Sequence, residues 1–165
     1  MCNKRWEFTG ETKIHFGITL RRIRAAVEFK LKCGIVIAKG ELGGWIEKES
    51  NLYGNAWVSG NAMVYGDARV CGNARVCGDA EVFGNARVSG DARVKSSEDY
   101  CVYKNTWSSF RWFTYTRSNK MWSVGCFYGT GAELITKAYK DSEKSGKCYE
   151  AVVKAQEAIE KVMEG

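Results

Sequence analysis

Residues 100–132 contain no Asp or Glu, and they hold Lys104, Arg111, Arg117 and Lys120 among Trp107, Phe110, Trp112, Phe113, Tyr115 and Trp122. The run ends at Thr130 and Gly131, where a helix is predicted to begin. Guanidinium and ammonium groups meet phosphates, aromatic faces stack bases, and the free N–H groups of a first helical turn favour anions. An anion or nucleotide site built from Lys104, Arg111, Trp112, Tyr115, Arg117, Lys120, Thr130 and Gly131 is therefore one expectation. The rival is structural: half of the aromatics cap the neighbouring repeat and the cations are solvated. A second cationic group, Arg21, Arg22 and Arg24, centres a segment (residues 1–45) with nine Lys or Arg against four acids. It could face an acidic partner or simply be solvated.

Other chemistries find little support. His15 is the only histidine, so a four-ligand zinc site cannot be assembled with recognisable spacing. Cys2, Cys33, Cys71, Cys77, Cys101, Cys126 and Cys148 are odd in number and match no redox or zinc motif, which predicts reduced thiols. A nucleophilic Cys would need a neighbouring base, and Gly129-Thr130-Gly131 is too short for a phosphate loop. No catalytic residue, metal or cofactor is expected.

The element that must position these groups is a repeat. Leu52, Val58, Val64, Val70, Val76, Val82, Val88 and Val94 recur every six residues, and Ile46 extends the series backwards. From Leu52 to Val88 each is followed two positions on by Gly, then Asn or Asp, then Ala. A period of six suits neither an amphipathic helix nor a lone strand, and Gly-Asn or Gly-Asp is corner chemistry that tolerates left-handed backbone angles. Three units close one triangular coil, and coils stack about 4.8 Å apart. The repeat resembles the hexapeptide-repeat, left-handed β-helix family, and the left hand comes from that resemblance. Many enzymes of that architecture are acyltransferases that use a histidine base, which these repeats lack.

Stacking sorts the outward residues into columns: Trp57, Arg75 and Arg93; Arg69 and Arg87; Met63 and Glu81; Tyr65 over Phe83; Tyr53 over Cys71. The arginines could mark an anion-binding face. Because Asp67, Asp79, Glu81 and Asp91 balance them in number, a charge-neutral, solvated face is the expectation.

The flanks follow. Residues 4–29 read as two extended pieces, one around Trp6 and Phe8 and one over residues 18–29, with a turn at Gly10 and a helix over residues 19–29 as a rival to the second. Trp45 is expected to lid the first coil. Beyond the repeat, residues 100–103 suggest a strand, and residues 111–117 and 121–127 form a hairpin around a three-residue turn at residues 118–120. Thr130 and Glu133 match a capping box, so one helix starts near Gly131 and ends before Ser145-Gly146. A last helix over residues 147–163 carries Tyr149, Val152, Ile159 and Val162 on a stripe that suits core or an oligomer contact. The expected fold is mainly β: a short left-handed parallel β-helix (residues 46–95), an N-terminal β cap (1–45), and a C-terminal β-hairpin with two helices (96–165).

The chain has 165 residues, a formal net charge of +6, no leader-like opening and no long apolar run, so a soluble cytoplasmic protein is expected. Phe8-Thr9-Gly10-Glu11-Thr12, Leu42-Gly43-Gly44-Trp45-Ile46-Glu47, the Gly-Asn-Ala and Gly-Asp-Ala units and Gly125-Cys126-Phe127-Tyr128-Gly129-Thr130 together resemble uncharacterised bacteriophage and prophage proteins. That resemblance implies action in the bacterial cytosol. It suggests a non-catalytic host-defence antagonist that binds a nucleic acid, a nucleotide signal or an effector complex, as a dimer or trimer. An acyltransferase of the hexapeptide class and a structural assembly protein are the alternatives.

Overall fold

The structure, a computed structural model, describes residues 4–165, so Cys2 lies outside the described residues. Strands β1 (Trp6–His15) and β2 (Ile18–Ala25) form an antiparallel hairpin whose pairing runs from Trp6 opposite Ala25 to His15 opposite Ile18. The turn is at Phe16-Gly17, not at Gly10. Gly10, with φ +95°, instead serves the bulge between Phe8 and Thr12, and the ladder continues beyond it. The helical alternative for residues 19–29 is excluded, because β2 is hydrogen-bonded on both edges. Two short strands follow, β3 (Phe29–Lys30) and β4 (Val36–Ile37), which pair antiparallel.

Strand β5 (Leu42–Ile46) joins the hairpin to the repeat: it is antiparallel to β2 and parallel to β7 (Met63–Val64). The repeat itself consists of two-residue rungs, namely β6 (Trp57–Val58), β7, β8 (Arg69–Val70), β9 (Arg75–Val76), β10 (Glu81–Val82), β11 (Arg87–Val88) and β12 (Arg93–Val94). They stack in three parallel ladders, β5-β7-β10, Leu52-β8-β11 and β6-β9-β12, so β5 completes a first coil and the stack has three coils. Every valine of the series from Val58 to Val94 is fully buried with the alanines on one axis. Burying each such side chain contributes about 1.5 to 3 kcal/mol. Corner side chains stack too: Asn55 Nδ2 donates to Asn73 Oδ1 at 3.3 Å and Asn61 Nδ2 to Asp79 Oδ1 at 3.1 Å. Where the first coil lacks a strand, Asn51 is buried and its Nδ2 donates to the carbonyls of Gly66 and Ala68, at 3.2 and 2.8 Å.

Trp45 is not the lid. It extends the outward column Trp45, Met63, Glu81 and packs with Leu20, Met63 and Tyr65 on the outside of the coil. The reason is alternation: Ile46 takes the inward place, so its neighbour must face out. The axial core instead continues into Trp6, Ile23, Phe29, Leu31 and Ile37, with Phe29 edge-on to Trp57 at 5.6 Å.

The far end is covered by an antiparallel sheet in the order β13 (Tyr100–Lys104), β14 (Trp112–Thr116), β15 (Met121–Val124), β16 (Phe127–Gly129). The last coil would leave backbone donors and acceptors unpaired, and hydroxyls take them. Thr114 Oγ1 accepts from Arg87 N at 2.8 Å, Ser118 Oγ accepts from Arg93 N at 2.7 Å, and Tyr100 OH donates to the Glu81 carbonyl at 2.9 Å. Thr116 pairs with Met121, so the hairpin loop has four residues and not three. The expected strand over residues 121–127 breaks at Gly125, whose φ of +56° turns the chain into β16.

Helix α1 (Gly131–Asp141) starts with the expected capping box: Thr130 Oγ1 accepts from Glu133 N at 3.3 Å while Thr130 N donates to Glu133 Oε2 at 2.8 Å. Helix α2 (Glu143–Glu164) begins earlier than expected, capped by Ser142, and contains Ser145 and Gly146. Gly146 marks a close approach, since a Cβ there would lie 2.3 Å from the Tyr139 ring. Tyr149 is core, 6% exposed, which removes it as an oligomer contact, while Val152 is half-buried beside the same cluster and Ile159 and Val162 are 46% and 80% exposed. The buried face runs through Tyr149, Val153, Gln156 and Glu160. Its polar members are met in place: Tyr103 OH donates to Gln156 Oε1 at 2.5 Å, and Gln156 Nε2 and Arg117 Nε donate to Glu160 Oε1 at 2.9 and 3.1 Å, while Glu160 Oε2 has no partner among the described residues.

Candidate anion-binding cleft

Along β14, Phe113 and Tyr115 enter the core shared with the helices, whereas Thr114 meets the solenoid. Trp112 keeps step with Thr114 and lines a cleft of about 430 Å³ between the solenoid and the C-terminal sheet. Four cations stand around it, Lys48 from the loop after β5, Arg69 from β8, Arg87 from β11 and Arg111 from the residue before β14, against one carboxylate, Asp67. Asp67 is engaged by Lys48 at 3.2 Å. Arg87 is anchored by donating through Nη1 to the Gly125 carbonyl, and its Nε is buried with no partner among the described residues.

Arg69 and Arg87 are directly opposed in the parallel ladder. Like charges so placed destabilise a sheet unless something negative sits between them. The expected neutral face is thus corrected for Arg69 and Arg87: the acids equal the arginines in number, but three of the four lie away from this pair. Glu81 accepts from Tyr65 OH at 2.9 Å and lies 3.2 Å from His15, Asp91 pairs with Lys32 at 2.8 Å, and Asp79 accepts from Asn61. Only Asp67 shares the cleft.

The expected site residues divide. Arg111 and Trp112 line the cleft, and Lys104 lies over the Trp112 ring with Nζ 5.3 Å from its centroid. The others belong elsewhere. Tyr115 is buried against Trp122, and burial first, then the nearby Glu160 carboxylate, pushes its phenol up to about 12. Arg117 is held by Glu160, whose hydrogen bond raises its pKa, and Lys120 lies 3.5 Å from Glu164. At the helix start, Thr130 N already donates to Glu133, holding that carboxyl below its ordinary value, and Gly131 packs under Val153 and Trp122. The alternation of β14 separates them: a strand cannot send Trp112 and Tyr115 to the same face.

In the other cationic group, Arg22 pairs with Glu11 at 3.2 Å and Arg24 with Glu7 at 2.7 Å, while Arg21 lies over Phe8. Two of its three charges are therefore compensated across the hairpin. Lys48 is not singled out by the sequence, whereas Arg69 and Arg87 are, as a column that could bind an anion, but with a solvated, neutral face preferred. The eighteen-residue column of Arg69 and Arg87, read together with Asp67 as their one local acid, is the signal that points to them.

Stacked parallel rungs with a common valine axis and glycine corners define a β-solenoid repeat protein. The family model described as YdcK beta solenoid repeat matches residues 56–71 and 68–82, so the middle of the stack is similar to that repeat. No curated protein matches the chain. Among the described residues no helix is long and apolar enough to cross a membrane.

Proposed function

We propose that this chain is a non-catalytic binding protein whose cleft takes a phosphate-bearing anion. The observation that carries this reading is the convergence of Lys48, Arg69, Arg87 and Arg111, from four separate segments, on one cleft with a single acid. Charge-assisted hydrogen bonds from guanidinium groups are well suited to phosphate oxygens. The repeats contain no histidine, and His15 stands by Glu81 on the β5-β7-β10 face, away from the cleft.

The hexapeptide type of the coil and its left hand belong to the same proposal and rest on the repeat motif. Bacteriophage or prophage origin, action in the bacterial cytosol, and antagonism of a host defence through a nucleic acid, nucleotide signal or effector complex rest on the flanking motifs alone. Self-association as a dimer or trimer would run through the open end of α2, at Ile159 and Val162.

Thermal unfolding with inorganic pyrophosphate tests the cleft. A ligand at a hundred times its Kd stabilises by about 2.7 kcal/mol, a rise of roughly 5 to 10 °C for a chain of this size. Arg69→Glu should abolish that rise. No shift with pyrophosphate at any concentration up to 10 mM, a level chosen on the order of weak phosphate affinities, would remove the reading.

A further inference from the structure

We infer that the cleft recognises a free nucleotide, with its base on Trp112 and its di- or triphosphate between the stacked arginines. The inference rests on the anion-binding reading above and adds the ligand class. Trp112 is 43% exposed although it belongs to a hydrogen-bonded strand. Lys104 covers one face of the indole, and the indole lines the cleft beside Arg87 and Arg111. An aromatic wall against a cluster of guanidinium groups matches a ligand that is flat at one end and anionic at the other. Asn85 and Ser123 line the same cleft and supply donors and acceptors for a base edge or a ribose.

Charge and size favour a free nucleotide over a polymer. Four cations less one carboxylate leave three positive charges at the cleft, which matches the charge of a nucleoside diphosphate near neutral pH. The volume of about 430 Å³ falls in the range of small-molecule sites, roughly 300 to 1,000 Å³. A nucleic-acid strand needs a basic track that leads onward. Here the adjoining β5-β7-β10 face is covered by the β1–β2 hairpin, which packs Leu20 on Met63 and lays Lys13 and Arg22 over Trp45, where Arg22 is paired with Glu11 and Glu81 offsets Lys13. The other arginine ladder, Arg75 and Arg93, shares its hollow with Asp91 and Lys32, which pair with each other. Positive charge is therefore gathered in two separate hollows with no lining residue in common, and not in one continuous track.

Calorimetric titration of the full chain with pyrophosphate, ADP and a twelve-residue uridine RNA, at one fixed salt concentration, tests this. Stacking tolerates any base, so adenine serves as the probe. ADP should bind at least about tenfold more tightly than pyrophosphate, the gain expected from one stacked base. Trp112→Ala should bring ADP down to the pyrophosphate value of the unaltered chain, and Trp112→Phe should keep most of the gain. If ADP binds no more tightly than pyrophosphate, the nucleotide inference fails while the anion cleft stands. If neither binds, both fall. RNA binding more than about tenfold tighter than ADP, with a steep salt dependence, would make the cleft part of a polymer surface and overturn the inference.

Discussion

Replacing Arg69 by Gln should make the ligand-free protein slightly more stable while weakening anion binding. Arg69 lies directly opposite Arg87 in a parallel ladder, so their chains are about 4.8 Å apart. Two like charges near 5 Å repel by about 0.8 kcal/mol in water and about twice that at half the dielectric constant, and physiological salt screens this by roughly half. Removing one charge should therefore contribute about 0.5 kcal/mol, or roughly 1 to 2 °C in Tm for a chain of this length. Arg69 is the right member of the pair to change. Arg87 also donates to the Gly125 carbonyl, whereas the Arg69 guanidinium has no hydrogen-bond partner among the described residues.

With pyrophosphate present the sign should reverse. A charge-assisted hydrogen bond contributes about 1.5 to 3 kcal/mol, so losing it should raise Kd by about tenfold or more. Differential scanning fluorimetry across a pyrophosphate series reads both effects in one experiment: the melting curves of the two proteins should cross. A lower Tm for Arg69→Gln without ligand would mean that Arg69 is a structural residue. An undiminished pyrophosphate response in the same variant would mean that the anion sits elsewhere.

Other expectations follow from the frame. Gly72→Ala and Gly84→Ala place a side chain at nearly the same positive φ, +71° and +65°, but a Cβ at Gly72 meets Gly90 N at 3.0 Å and one at Gly84 meets nothing within 4 Å. Both should lose about 1 to 2 kcal/mol in chemical denaturation from the backbone alone, and Gly72→Ala should lose distinctly more; equal losses would contradict the stacked corners. Burial, then the hydrogen bond to Glu81, pushes Tyr65 up to about 12, as burial does for Tyr115. Because a raised phenol pKa favours the neutral form in the folded state, its stabilisation is complete below pH 10 and is lost as pH climbs towards 12. Absorbance titration near 295 nm should show late-ionising phenols, fewer by one in Tyr115→Phe; ionisation of every phenol by pH 10 would argue against those environments. Arg117→Ala should lower Tm by stranding Glu160, which is almost fully buried, yet leave pyrophosphate affinity intact. A loss of affinity without a loss of stability would restore Arg117 to the site.

The repeat was legible because one period of six residues sets every contact along its axis. The Tyr65 and Phe83 column, for instance, is found stacked with centroids 5.4 Å apart and rings 9° from parallel. The capping box at Thr130 was legible for the same reason, being a contact within four residues. What escaped was set by neighbours distant in sequence. Gly10 could serve a turn or a bulge, and only the pairing of Trp6 with Ala25 decides between them. On α2 the apolar stripe pointed to Ile159 and Val162, while the face that packs holds Gln156 and Glu160, hidden because Tyr103 and Arg117 meet them there. Of the residues grouped by composition, Arg111 and Trp112 line the candidate cleft, whereas Tyr115, Arg117 and Lys120 do not, because a linear window ignores strand alternation.

The position of the cleft follows from how a stacked coil is built. Each face of the prism repeats itself coil by coil, so its outward side chains form flat columns, and concavity requires something that does not repeat. The last coil must have its exposed N–H and C=O groups met, and Thr114, Ser118 and Tyr100 meet them by bringing the C-terminal sheet against β10, β11 and β12. The bond from Arg87 N to Thr114 holds β14 against the edge of β11, and the residue two before Thr114 is Trp112. Capping the solenoid therefore creates the seam, and the seam places an aromatic wall beside an arginine ladder whose members repel one another. Counting charges along the chain cannot reveal such a site, because of the four acids that balance the arginines in sequence the coil brings only Asp67 to this cleft.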